Sequence, residues 1–258
     1  MYIQLLPSSF DASGRANAAQ RLTCFLIDDR VTVDAGSIGI ALNDAQRRTV
    51  RDVIVTHPHM DHIASLPIFV DDLFGELEQP IRIYATAEVI ELLKRDVFND
   101  NVYPRFDQLQ NERGRVMDYV SFEPGKEFKV AHLSITAIPV NHIVPTVGLL
   151  VSDGQVTVAF SSDTAETEEF WKIVSRTPHL EALFIEASFP NSMRRLAEAS
   201  KHLTPTMLRD ELRKLSHNGM DILAVHLKPA YREIVARELT ELGMDNLSVM
   251  QTGRVYEW

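Results

Sequence analysis

Three imidazoles and a carboxylate fall within six residues of the stretch Thr56-His57-Pro58-His59-Met60-Asp61-His62. Imidazole nitrogen and carboxylate oxygen are the donors that borderline divalent metals accept. The stretch follows the apolar run Val53-Ile54-Val55. A strand ending in a tight loop would let the four side chains converge on one point. The alternative is a polar loop after a strand. That reading leaves the density of His59, Asp61 and His62 without a use, because these groups are costly to bury unpaired.

Other chemistry-bearing residues recur just beyond apolar runs. Asp34 follows Val31–Val33, and His142 lies beyond Ile138-Pro139-Val140. Asp163 lies beyond Ala159-Phe160, Glu186 follows Phe184-Ile185, and His226 follows Ala224-Val225. If these strand ends share one edge, sequence-distant ligand types meet there. Taken singly each is weak: His142 alone reads more readily as a loop histidine than as a ligand. Asp34 either orients a ligand imidazole or caps the turn at Gly36. His132, His179 and His217 have no place in this pattern and read as surface or loop residues.

The elements that must position these residues follow from periodicity and punctuation. A first strand lies within Met1–Leu6. Leu22–Ile27 and Val31–Val33 flank a hairpin turn at Asp28-Asp29-Arg30. A helix from about Ser65 carries Ile68, Val70, Leu73 and Phe74. Ile81–Tyr84 alternates like a strand, and Thr86 is placed to cap a helix with Ile90, Leu93 and Val97 on one face. Strands follow at Val120–Phe122, Phe128–Val130, Leu133–Val140, Val147–Val151 and Val156–Ser161, with Asp153-Gly154 turning the last hairpin. A helix over 166–176 buries Phe170, Ile173 and Val174. A strand at Ala182–Ile185 ends at Glu186. Thr204-Pro205 starts a helix with Leu208, Leu212 and Leu215 on one face, stopped by Gly219. A strand at Ile222–Val225, a helix from Ala230 to Gly243 and a strand at Leu247–Met250 complete the chain.

Composition sets bounds. The chain has 258 residues, 45% of them hydrophobic, and a formal net charge of −10. That is enough for one sizeable core or two smaller ones. Acidity of this size repels polyphosphate backbones, so extended nucleic acid is not an expected partner. The single cysteine, Cys24, cannot form an intrachain disulfide and reads as a small core residue. The N-terminus lacks a basic region and a long apolar stretch, so no signal peptide is expected. No apolar run approaches the roughly 20 residues that span a bilayer. A soluble cytoplasmic protein without a membrane partner is the simplest expectation.

The H-x-H-x-D-H pattern resembles the signature of the metallo-β-lactamase fold superfamily. That resemblance implies one α/β domain over 1–258, a four-layer αββα sandwich, with two divalent metal ions. Zinc is expected, with manganese or iron as alternatives. Carried over position by position, His57, His59 and His142 bind the first ion, and Asp61, His62 and His226 the second. Asp163 bridges both, and Asp34 orients a ligand imidazole from behind.

Within the superfamily, 57–65 (HPHMDHIAS) is similar to the signature of class II 3′,5′-cyclic nucleotide phosphodiesterases, with Met60 where leucine is usual. The segment 92–104 is similar to that family's helix and aromatic-proline segment, with Tyr103 where tryptophan is frequent. Glu186-Ala187-Ser188-Phe189, then Lys201-His202-Leu203-Thr204, then His226-Leu227-Lys228-Pro229 follow the order of the phosphodiesterase branch.

The resemblance implies hydrolysis of a cyclic nucleotide, cyclic AMP first among them, to the 5′-monophosphate. Asp61 would orient or deprotonate the attacking water. His202 would donate a proton to the leaving 3′ oxygen, held by Glu186. His202 also reads as a residue ahead of a helix cap. Ser188 and Lys228 are candidate phosphate contacts or solvated loop residues. Tyr103, Phe106 and Phe189 are candidate base-stacking residues or simple packing. A tRNA 3′-end nuclease, a thioester or lactone hydrolase, and a metal-bound sensor such as a di-iron oxygen binder are the other readings. A homodimer is one assembly this reading admits; the sequence does not fix the oligomeric state.

Overall fold

A computed structural model describes residues 1–216 and 219–258. His217 lies outside the described residues. The chain divides into two compact units, the first of residues 1–18, 22–123 and 252–257, the second of 19–21, 124–251 and 258. In chain order the first holds strands β1 (Tyr2–Leu5), β2 (Phe25–Ile27), β3 (Val31–Val33), β4 (Asp52–Ile54), β5 (Ile81–Thr86), β6 (Gln110–Asn111), β7 (Gly114–Arg115) and β8 (Met117–Phe122). The second holds β9 (Glu127–Val130), β10 (Leu133–Pro139), β11 (Val147–Ser152), β12 (Thr157–Phe160), β13 (Leu180–Glu186), β14 (Asp221–Val225) and β15 (Leu247–Val249); β16 (Val255–Glu257) returns to the first.

In the first unit a mixed sheet runs β16-β1-β2-β3-β4-β5-β8. β2 and β3 form the expected hairpin around Asp28-Asp29-Arg30, with Asp28 and Asp29 both at positive φ (49° and 51°), the conformation a type I′ turn requires of its two central residues. From β3 through β4, β5 and β8 every pairing is parallel. Such strands are buried on both faces, which is why Val53–Val55 reads as an unbroken apolar run and the one polar residue of β3, Thr32, is buried with its neighbours. The carboxyl ends of β3 and β4 therefore share one edge.

The second unit repeats the logic in a sheet ordered β15-β14-β13-β12-β11-β10-β9. β12 to β15 are parallel neighbours. β10 and β12 each run antiparallel to β11, so they point the same way. The ends of β10, β12, β13 and β14 thus share an edge, and they precede His142, Asp163, Glu186 and His226 in turn. Helices bury one side of each sheet. Leu66, Phe69, Val70 and Leu73 join Val53, Val55, Ile81 and Ile83 in one core. Phe170, Trp171, Leu208 and Leu212 join Leu183, Ile185 and Ala224 in the other.

Several local expectations change. The helix Leu66–Leu73 buries the i, i+3, i+4, i+7 stripe of Leu66, Phe69, Val70 and Leu73, which leaves Ile68 on the outer face, 42% exposed. The helix started by Thr204-Pro205 ends at Leu212, seven residues before Gly219. The last helix begins at Arg232 behind a short 3₁₀ turn and ends at Thr240. Short helices at Ile38–Ala41, Asp44–Thr49 and Arg194–Ser200 and the strand β16 carry too few residues for periodicity to announce them.

Candidate metal and acid-base site

The dense motif begins where β4 ends and is itself partly helical. Met60–Ile63 forms one helical turn, which turns His62 inward while leaving Met60 64% exposed. Neighbouring backbone clamps this turn. The Thr23 amide donates to the Asp61 carbonyl at 2.7 Å, and the Ala35 amide donates to the His62 carbonyl at 2.7 Å. Gly36 passes so close that a Cβ there would stand 2.1 Å from the Asp61 carbonyl oxygen. The rings of His57 and His59 meet edge to face at 4.8 Å between centroids, and His57 and His62 at 4.0 Å.

Asp34, at the end of β3, is the anchor behind them. It is 2% exposed and adopts positive φ (61°). Its Oδ2 lies 2.6 Å from His62 Nδ1, and its Oδ1 accepts the Thr56 amide at 2.9 Å. The Thr56 hydroxyl also reaches Asp34 and lies 3.0 Å from His57 Nδ1. Asp34 therefore fixes two imidazoles, one directly and one through Thr56, and turns their Nε2 atoms away from it. Cys24 is fully buried with its Sγ donating to the Asp34 carbonyl; burial first, and then the Asp34 charge, push its pKa well above the ordinary thiol range. It is a core residue, as expected.

The second unit gathers its own set. Asp163 follows Ser162, which is held at positive φ (54°), and is 2% exposed. His226 Nε2 lies 3.5 Å from Asp163 Oδ2, and donor atoms of Asp163, His202 and His226 all lie within 4.8 Å of one another. The His142 ring is 5.1 Å from that of His202, and its Nδ1 sits 3.0 Å from the Lys201 carbonyl. His226, also at positive φ (59°), has its Nδ1 2.9 Å from the Ser188 hydroxyl. A bulky residue in the left-handed region costs on the order of 1–3 kcal/mol, and such residues collect at functional sites.

Glu186 lies at the centre of the hydrogen bonding. It is 1% exposed, with Oε1 2.7 Å from His202 Nδ1 and accepting the Thr164 amide at 3.0 Å. Its Oε2 accepts the Ser188 hydroxyl at 2.8 Å and the Leu203 amide at 3.1 Å. Burial works against a charged His202, but the charge and hydrogen bond of Glu186 outweigh it, and the pKa of the ring is raised. Half-buried Lys228 acts weakly in the opposite direction.

Two expected roles are altered by these placements. Ser188 is fully buried and its hydroxyl is engaged by Glu186 and His226, so it positions those side chains and does not present itself to a phosphate. Phe106 is 2% exposed inside an aromatic cluster with Phe74, Phe98 and Tyr103, and is core packing. The Tyr103 hydroxyl donates to Asp71 at 3.2 Å. Two residues that contact these histidines, Thr56 and Lys201, were not legible as such. A hydroxyl between a strand and a histidine was the available signal for Thr56, and none existed for Lys201.

Residues 30–225 match the model of the β-lactamase superfamily domain. The chain belongs to the β-lactamase superfamily. Its mixed sheets with their helices are the metallo-β-lactamase fold. Among relatives in this superfamily, the chain is 25% identical over 210 residues to a probable 3′,5′-cyclic-nucleotide phosphodiesterase of Yersinia pestis, covering 72% of this chain and 60% of that protein. It is likewise 25% identical over 233 residues to 3′,5′-cyclic-nucleotide phosphodiesterase 1 of Saccharomyces cerevisiae, covering 75% and 61%. The chain thus spans about three fifths of the length of these relatives. The crystal structure of unliganded yeast PDE1 matches it in fold with a TM-score of 0.78, at 17% identity and over 98% of each chain. No helix among the described residues is long and apolar enough to cross a membrane.

Proposed function

We propose that this superfamily member is a metal-dependent phosphodiesterase that hydrolyses 3′,5′-cyclic nucleotides, cyclic AMP among them, to 5′-monophosphates. The observation that carries the proposal is the buried Glu186–His202 pair, 2.7 Å apart, beside the donor set of Asp163 and His226. A general acid next to metal ligands is what a poor alkoxide leaving group requires. The names of the curated relatives point the same way.

The donor set suits divalent ions. His57, His62, His142 and His226 each have Nδ1 within reach of Thr56, Asp34, Lys201 or Ser188, which sets the orientation of the ring. In the proposed centre His57, His59, His142 and Asp163 would hold one ion, and Asp61, His62 and His226 the other. All-nitrogen and oxygen donors favour zinc, and manganese or iron are accommodated by the same chemistry. Two such ions, when bound, supply positive charge beside the phosphodiester and make a water more acidic.

The remaining work falls to the chain. Asp61 accepts the proton of the attacking water, whose oxygen bonds to phosphorus. The bond from phosphorus to the 3′ oxygen breaks, and His202 gives that oxygen its proton. Glu186 favours the charged form of the His202 ring and aims it. Lys228 is the candidate contact for a phosphate oxygen.

The test is a panel of substrates on protein reconstituted with zinc or manganese: cyclic AMP, cyclic GMP, bis(p-nitrophenyl) phosphate, a thioester and a lactone. Turnover of a cyclic nucleotide well above the thioester and lactone is expected, with about two ions per chain by elemental analysis. Preference for the thioester or lactone, or a single ion at full activity, would defeat the reading.

A further inference from the structure

The helix Arg194–Ser200 ends on Lys201 in the left-handed conformation, with φ 53° and ψ 54°. Its amide reaches back to the carbonyls of Ala197 and Glu198, and the His202 amide donates to Ala197 at 2.8 Å. This is the helix-ending motif that ordinarily takes glycine, or else asparagine. Lysine is a poor choice there on backbone grounds, since its Cβ crowds the carbonyl in this region.

Its side chain does something that glycine could not. Lys201 Nζ donates to the His142 carbonyl at 3.2 Å, while the Lys201 carbonyl lies 3.0 Å from His142 Nδ1. One residue therefore grips His142 at both its main chain and its ring. The next residue along is His202, whose position the same helix end sets. We infer that Lys201 is a positioning residue that holds the proposed metal ligand His142 and the general acid His202 in fixed relation, and that a lysine persists at a glycine position for that reason. The inference rests on reading His142 as a ligand.

Two departures from local preference support it. A non-glycine residue held at positive φ is retained when the surroundings overdetermine it. A local rule broken in the middle of a functional cluster marks a site where stability has been given up for geometry. Loss of a group that orients a metal ligand typically weakens metal binding by roughly 10–100-fold.

The experiment compares Lys201→Gly and Lys201→Arg with the parent chain. Three quantities are measured: melting of the metal-free protein, zinc affinity by chelator competition, and turnover of bis(p-nitrophenyl) phosphate. Lys201→Gly relieves the strained backbone, so its metal-free melting temperature should equal or exceed that of the parent. Its zinc affinity should nevertheless fall by roughly tenfold or more. Lys201→Arg keeps a cationic donor and should recover most of that affinity. Unchanged zinc affinity in Lys201→Gly would overturn the inference. So would a loss matched by a fall in metal-free melting temperature and not recovered by Lys201→Arg, since Lys201 would then be only a helix end. If the parent itself binds no zinc, the proposed metal centre fails, and that failure is read from the parent alone.

Discussion

At the scale of single residues, the two acid-base assignments make separable demands. Asp61→Asn keeps the shape of the side chain and removes its charge. Turnover is expected to fall by about 10²–10⁴-fold, while elemental analysis should show a much smaller loss of metal. Near-normal turnover in that variant would remove Asp61 from the proton-accepting role. His202→Ala should retain both ions, because Glu186 and Ser188 still hold His226 and its surroundings. Its turnover on cyclic AMP should drop by about 10²–10⁴-fold. The loss should shrink on bis(p-nitrophenyl) phosphate, whose nitrophenolate leaves without a proton. Equal losses on both substrates would mean that His202 positions substrate and does not protonate it. The metal motif was legible because its donors are crowded into six residues. Glu186 and His202 were legible as a pair only through resemblance, since sixteen residues separate them and nothing local links a strand end to a helix end. The role of Ser188 was misread because burial is not written in a serine.

At the scale of elements, the most demanding contact is the passage of Gly36 beneath the 60–63 turn. A methyl group there would meet the Asp61 carbonyl at 2.1 Å and the main chain of Thr23 at 2.8 Å, and none of these is a flexible side-chain end. Gly36→Ala should therefore cost stability on the order of 1–3 kcal/mol and shift the turn that carries Asp61 and His62. Melting of the metal-free protein measures the first effect and a zinc titration the second. A variant normal in both would show that the turn is not clamped. Most strands could be placed in advance because parallel strands buried on both faces leave continuous apolar runs. β16 escaped notice because its three residues make sense only beside β1, at the far end of the sequence. The helix face around Ile68 was misassigned by one position, since counting began from Ser65 and not from the stripe that meets the sheet.

At the scale of the molecule, metal binding to the folded chain has a thermodynamic signature. Zinc at a hundredfold excess over its dissociation constant should stabilise the chain by about 2.7 kcal/mol per site. More pointedly, zinc should slow hydrogen exchange at the amides of Thr23 and Ala35, which hold the Asp61 and His62 carbonyls in the first unit. His62→Ala should abolish much of that slowing. If the protection survives in His62→Ala, His62 does not hold an ion. The net charge of −10 disfavours a polyanion held along a surface of the chain.

The partners that fix His57, His62, His142 and His226 each come from the same unit as the imidazole they hold. This bears on time as well as on affinity. Thr56, Asp34, Lys201 and Ser188 set ring orientation without help from a cation, so the stripped protein should wait with its donors already aimed. Uptake should then proceed at a rate proportional to the concentration of ion, with no slow unimolecular phase, and stripping and reloading should be reversible in the folded state. Under those conditions the occupant is decided by which cation the surroundings supply most freely. The same chain would then carry different ions in different media while its fold stayed the same.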